Sequence, residues 1–102
     1  MLVAGIDLPR QLARRPGATF AEGRISGSTG CNRYTGAYTT VGHTLELGPL
    51  ATTRMACPPP ADAVERAFLD ALTRVDGWRL ERGELVLVVA GGEPLRFAPS
   101  NE

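Results

Sequence analysis

Short strand-like segments joined by turns of two or three residues dominate this chain and leave it few possible folds. Thr19-Phe20 and Arg24-Ile25-Ser26 flank Ala21-Glu22-Gly23, where Gly23 suits positive φ. From Arg33 to Thr40, Tyr34, Gly36 and Tyr38 share one face at period two. Val41-Gly42-His43 turns the chain into Thr44-Leu45-Glu46-Leu47, with Leu45 and Leu47 inward, and Gly48-Pro49 closes that hairpin. Trp78-Arg79-Leu80 and Glu84 to Ala90 flank Arg82-Gly83, a further hairpin signal. Leu85-Val86-Leu87-Val88-Val89 reads as a central strand buried on both sides. Gly91-Gly92 precedes a last short strand, Pro94 to Phe97, and a frayed tail over 98–102. Residues 27–32 hold too many glycines and small polar side chains for a regular strand.

One window has a different period. Pro58-Pro59-Pro60 stiffens the chain as polyproline. Val64, Phe68, Ala71, Leu72 and Val75 then recur at helical spacing as an apolar stripe. Asp62 stands at the N-cap, Glu65 completes a capping-box pattern, Asp70 and Arg74 pair at i,i+4, and Gly77 ends the element as a C′ residue. The order strands, helix, strands predicts an α+β fold. It is a mostly antiparallel β-sheet, either curved or a partly open barrel, covered by one α-helix at about 62–76. Residues 1–17, with Pro9, Arg14-Arg15 and Pro16-Gly17, read as an irregular lead-in to a domain over 18–102.

Length and charge then exclude function classes. The 102 residues suit one domain with a modest core. Basic and acidic residues balance at 11 each, so the excess that neutralises phosphates is lacking and nucleic acid is not an expected partner. Every basic residue is arginine, which reads as a bias of base composition. Arg10, Arg14 and Arg15 read as a solvated surface. No apolar run approaches the ~18 residues that span a bilayer. The start is no signal peptide as written, because it lacks a basic region and Asp7 interrupts the apolar stretch. The chain is therefore cytoplasmic as it stands, or an envelope protein whose leader was removed.

Three stretches together carry a resemblance. They are Gly27-Ser28-Thr29-Gly30-Cys31-Asn32-Arg33-Tyr34-Thr35-Gly36-Ala37-Tyr38, Leu50-Ala51-Thr52-Thr53-Arg54-Met55-Ala56-Cys57-Pro58, and Val64-Glu65-Arg66-Ala67-Phe68-Leu69-Asp70-Ala71-Leu72. In order and spacing they resemble the META domain, or HslJ-like, family, from about Thr19 to Phe97. The resemblance implies a small bacterial module, often of the envelope and linked in some members to stress or antibiotic tolerance. It brings no catalytic residue set, so an enzyme is not expected. The family's usual opening strand carries a Trp. Residues 1–17 have none, so that strand is either trimmed or degenerate. Its loss would open a sheet edge to homodimerisation.

The motifs also supply the candidate residues. Cys31 and Cys57 are either a disulfide, closing a loop of about 25 residues worth on the order of 3 kcal/mol, or two buried free thiols. The even cysteine count in an envelope-type family favours the bridge. A Cys31–His43 nucleophile lacks an orienting carboxylate. A metal held by Cys31, Cys57 and His43 lacks the close ligand pairs of zinc sites, so no metal is expected. Asn32, Arg33 and Arg54 stand where two motifs meet. They read either as a patch binding an anion or peptide carboxylate or as turn and surface residues. Tyr34, Tyr38, Phe68 and Trp78 either line a ligand cavity or pack the core. Gly27, Gly30 and Gly36 form no phosphate loop, and no cofactor is expected. The leading expectation is a non-enzymatic module whose partner is a protein or small ligand. The second is a carrier of an apolar small molecule.

Overall fold

The structure is a computed structural model that describes residues 1–10 and 12–99. It contains one helix, α1 (Ala61–Leu72), and nine strands. These are β1 (Leu2–Ala4), β2 (Thr19–Ala21), β3 (Arg24–Ser28), β4 (Arg33–Val41), β5 (Thr44–Leu47), β6 (Ala51–Thr52), β7 (Val75–Glu81), β8 (Glu84–Val89) and β9 (Leu95–Phe97). They form one sheet in the order β1-β9-β8-β7-β5-β4-β3-β2, with β6 also paired to β4. Every pairing is antiparallel. The sheet curls into a half-barrel, and the α+β class expected from the hairpin spacing is the one observed.

Turn chemistry sets the register. Glu22 and Gly23 take φ of 53° and 78°, and Arg82 and Gly83 take 51° and 80°. Two consecutive positive φ values give turns that match the right-handed twist of paired strands. Directly opposed residues share a face. Trp78, Leu87 and Leu95 therefore lie in one row across β7, β8 and β9, and Leu80, Leu85 and Phe97 in the next. Tyr38 with Leu47 and Phe20 with Ile25 extend this apolar inner face. On the outer face Val86 lies between Arg79 and Arg96 and is fully buried. Arg79 and Arg96 both bind the Glu81 carboxylate there and hold its pKa below the usual value.

The helix closes one end of the half-barrel. Its buried stripe is Val64, Phe68, Ala71 and Leu72, of which Phe68, Ala71 and Leu72 enter the core beside Ile25, Leu87, Leu95 and Phe97. Phe68 packs edge-on against Tyr34 and Phe97, with ring centroids 5.7 and 6.2 Å apart. The helix is shorter than the periodicity predicts. Val75 begins β7 instead and pairs with Val89. Its side chain is buried in the same core, so the apolar stripe continues through a change of backbone. Gly77 lies inside β7 rather than past the helix end. The Asp70–Arg74 ion pair forms as expected, at 2.9 Å.

The segment read as an irregular lead-in contains a strand. Leu2 is fully buried, and β1 pairs with β9. The strand is short, three residues, and contains no tryptophan. Its outer edge is occupied: Leu2 N–H donates to Pro16 O at 2.8 Å, and Arg15 Nη1 donates to Leu2 O at 3.3 Å. The edge that a missing first strand would have opened is therefore covered. Met1 and Ala98 bond in both directions, at 2.7 and 2.9 Å. The last three residues of the tail expected to fray, 100–102, lie outside the described residues. Strand β3 runs on through Gly27 and Ser28, which had read as non-strand. A Cβ on Gly27 would lie 2.3 Å from Gly17 O, so glycine here admits the Pro16-Gly17 segment against β3. Gly17 N–H donates to Ser28 O at 3.0 Å.

Tyr34 bridges core and lead-in, its hydroxyl donating to Gly17 O at 2.7 Å. Burial pushes its phenol pKa well above the ordinary 10.0. A raised folded-state value means the neutral phenol is preferred in the fold. That contribution is complete below pH ~10 and is lost as pH rises towards the folded value. Tyr34→Phe is expected to cost about 1 kcal/mol at neutral pH and to flatten the fall in melting temperature above pH ~10. Thermal unfolding of both proteins across that range checks it.

Candidate functional site

Two loops distant in sequence, the β3–β4 turn and the loop after β6, meet at α1. The turn from β3 to β4 is shaped by Thr29, which is fully buried. Thr29 N–H donates to Asn32 O at 2.8 Å. Its Oγ1 accepts the N–H groups of Asn32 and Cys31, at 2.8 and 3.3 Å. Its hydroxyl lies 3.1 Å from Asn32 O and 2.6 Å from Glu65 Oε1, and the nearer, charged carboxylate takes the proton. Gly30 takes φ of 100° against Val64 of α1, a backbone conformation that favours glycine.

Asn32 joins the three segments. It is 3% exposed. Its Oδ1 accepts Met55 N–H at 2.7 Å and the Thr53 hydroxyl at 3.0 Å. Its Nδ2 donates to Glu65 Oε1 at 2.8 Å and to Met55 O at 3.2 Å. An amide offers two protons and two lone pairs, and all four are used. Beside it, Cys31 and Cys57 form a disulfide with Cα atoms 6.1 Å apart and a sequence separation of 26. Their sulfurs lie 3.6 and 3.7 Å from Asn32 Nδ2. Thr53 N–H donates to Arg33 O at 2.9 Å and extends the β6–β4 pairing.

Glu65 departs from the capping-box reading. The helix begins at Ala61 with Pro60 as its N-cap and no side-chain cap bond. Asp62 reaches the adjacent N–H of Ala63 instead, at 2.8 Å. The Glu65 carboxylate turns inward because buried Thr29 and Asn32 offer charge-assisted hydrogen bonds that nothing else there satisfies. Its place three residues before Phe68 was the available signal, because i and i+3 share a helix face. Thr29, Thr53, Met55 and Glu65 thus belong to a site whose cysteines and asparagine had been singled out. Among the described residues no buried side-chain nitrogen or oxygen lacks a partner.

The other candidates separate. Arg33 and Arg54 are exposed. Asn32 is buried with its amide saturated, so the three do not converge on a common acceptor. His43 follows β4 while Cys31 precedes it. The nine residues of β4, at roughly 3.3 Å each, put them at opposite ends of that strand. The His43 ring lies 4.9 Å from the Trp78 ring. Among the described residues the histidine, cysteine and carboxylate donors that cluster are Cys31, Cys57 and Glu65. The aromatic candidates divide as well. Tyr34 and Phe68 pack the core. Tyr38 and Trp78 line an open groove of about 390 Å³ with Phe20, Leu45, Leu80 and Leu85.

A half-barrel closed by one helix, with a disulfide and a buried asparagine tying that helix to two loops, defines a small bridged α+β module. The chain belongs to the META domain family, whose model matches residues 3–102. Two solved structures resemble it. One is the NMR structure of a protein from Burkholderia xenovorans, 39% identical with a TM-score of 0.65, covering 78% of this chain and 57% of that one. The other, also an NMR structure, is 27% identical with a TM-score of 0.66, covering 84% and 74%. The chain thus spans little more than half the length of the Burkholderia protein. No protein of curated function matches it.

Asn32→Ala removes the partners of Met55 N–H and Met55 O and one of the two hydrogen bonds to Glu65 Oε1, the Thr29 hydroxyl keeping the other. At about 1 kcal/mol for each part-buried hydrogen bond lost, a loss of about 2–3 kcal/mol is expected in urea unfolding of the bridged protein. Arg33→Ala and Arg54→Ala are each expected to stay within about 0.5 kcal/mol of the parent.

Proposed function

We propose that the chain is a non-enzymatic META-domain module of the bacterial cell envelope, structural or protein-binding, serving stress or antibiotic tolerance. The observation that carries this reading is where the motif side chains go. The two cysteines are spent on each other, and the amide of Asn32 on the loop and helix it joins. A nucleophile or a general base needs a free reactive group aimed at solvent, and the cysteines and Asn32 of the motifs offer none in the bridged state. A disulfide in a domain this small fits an oxidising compartment. Arg33 and Arg54, exposed beside the motifs, are the side chains through which an acidic partner would bind. Pairing of two copies would use β2, a three-residue edge strand. The test is thiol alkylation in intact cells before lysis, followed by intact mass. Two unlabelled, bridged cysteines support the envelope reading, and two alkylated cysteines sink it.

One observation favours a second reading, a carrier of an apolar small molecule. The groove between Tyr38 and Trp78 reaches the ~300 Å³ at which ligand pockets begin, and Leu80 at its rim is 67% exposed. The groove is open, so a bound ligand keeps one wetted face. Saturation with anilinonaphthalene sulfonate at about 100-fold above its Kd is expected to stabilise a carrier by roughly 2.7 kcal/mol, with loss of the effect in Leu80→Asp. An unchanged melting curve removes the carrier reading and leaves the module reading standing.

A further inference from the structure

We infer that reduction converts the Cys31–Cys57 bridge into a zinc site completed by Glu65. One donor atom from each of Cys31, Cys57 and Glu65 lies within 4.8 Å of the others. The three arrive from the β3–β4 turn, the loop after β6, and α1. What assembles them is not the disulfide alone. The bonds of Asn32 to Met55, Thr53 and Glu65, and of Thr29 to Glu65, contain no sulfur and persist when the bridge opens. Two thiols and a carboxylate would therefore remain facing one another.

The donor chemistry selects the ion. Two thiolates and one carboxylate suit Zn²⁺, which takes sulfur and oxygen ligands in a tetrahedron. Magnesium and calcium need more oxygens than one carboxylate provides. At a Zn–S distance of about 2.3 Å the sulfurs need to stand about 3.8 Å apart, a separation that side-chain rotation can supply. Both cysteines are half-buried, so a reductant and an ion can reach them, and water takes the fourth position. An outer layer is in place. Asn32 Nδ2 lies 3.6 and 3.7 Å from the two sulfurs, and Thr29 and Asn32 fix Glu65 Oε1. Among the described residues Oε2 has no hydrogen-bond partner. Such outer groups orient ligands in metal sites. The sequence offered His43 as third ligand, and the fold supplies Glu65 in its place.

The chemistry balances. A dithiol reductant passes two electrons and two protons to the bridge, the S–S bond breaks, and the reductant becomes a disulfide. Zn²⁺ then displaces both thiol protons and forms two Zn–S bonds and one Zn–O bond. The oxidised domain holds a covalent link where the reduced domain holds an ion. The inference concerns the reduced protein and stands or falls separately from the envelope reading.

The test is an anaerobic titration of the whole chain with Co²⁺, then Zn²⁺, after reduction by a trialkylphosphine, which becomes the phosphine oxide with oxygen from water. A single equivalent of cobalt is expected to give thiolate-to-metal charge-transfer absorption and intense tetrahedral d–d bands. Zinc should bleach both, and the oxidised chain should show neither. Cys57→Ser shares with reduced wild type the lack of a bridge, so it isolates the ligand. It should lose part of the charge-transfer band and bind at least about tenfold more weakly. Glu65→Gln should keep that band and bind at least about tenfold more weakly. If reduction unfolds the chain, recovery of native circular dichroism on adding zinc supports the site. Binding without recovery overturns it. So do weak octahedral spectra, or equal affinity in Glu65→Gln and wild type.

Discussion

The buried amide of Asn32 is the constraint on which the rest of this small fold depends. In a low-dielectric interior an amide left partly unpaired costs more than its hydrogen bonds return. Its four valences therefore have one arrangement that is tolerable, and that arrangement fixes three segments at once. Met55 and Thr53 bring in the loop after β6, Glu65 brings in α1, and the backbone of Asn32 opens β4. The disulfide acts on the other side of the equilibrium by restricting the unfolded chain. One device specifies where the segments meet, and the other lowers the entropy cost of bringing them together.

Once Glu65 is held, the position of the helix follows. Phe68, one turn further on, is carried into the half-barrel between Tyr34 and Phe97, and Leu72 completes the plug. A 12-residue helix closes one end of a sheet of this size. The apolar rows of β2, β4, β5, β7 and β8 continue past it to the other mouth. Phe20, Tyr38, Trp78 and Leu80 thus line a groove as a consequence of the inner-face pattern outrunning its cover. Unlike the Asn32 site, this surface makes no demand on the fold and is open to a partner.

The legible parts of the sequence were those that depend on local chemistry. Glu22-Gly23 and Arg82-Gly83 announced their hairpins because positive φ restricts which residues can stand there. Tyr34, Gly36 and Tyr38 announced a strand face by period alone. The parts that failed depend on distant partners. Leu2–Ala4 is too short to show a period, and β9, Pro16 and Arg15 make it a strand. Val75 fits a helical stripe as well as it fits β7, because both routes lead to the same core. In the site, the cysteine motifs were visible through their family resemblance, but Glu65 was not. An acidic residue three positions after Asp62 spells a local cap and a long-range anchor with the same letters. Burial of Thr29 and Asn32, which the sequence does not display, decides between them.

The most direct test of this account is a double-mutant cycle on Asn32→Ala and Glu65→Ala, measured by denaturant unfolding with the disulfide intact. If the amide and the carboxylate act as one unit, the double variant loses less stability than the sum of the single variants, with a coupling of about 1 kcal/mol or more. Additive losses would mean that the two side chains act separately, and that the three segments are held together by the disulfide and core packing alone.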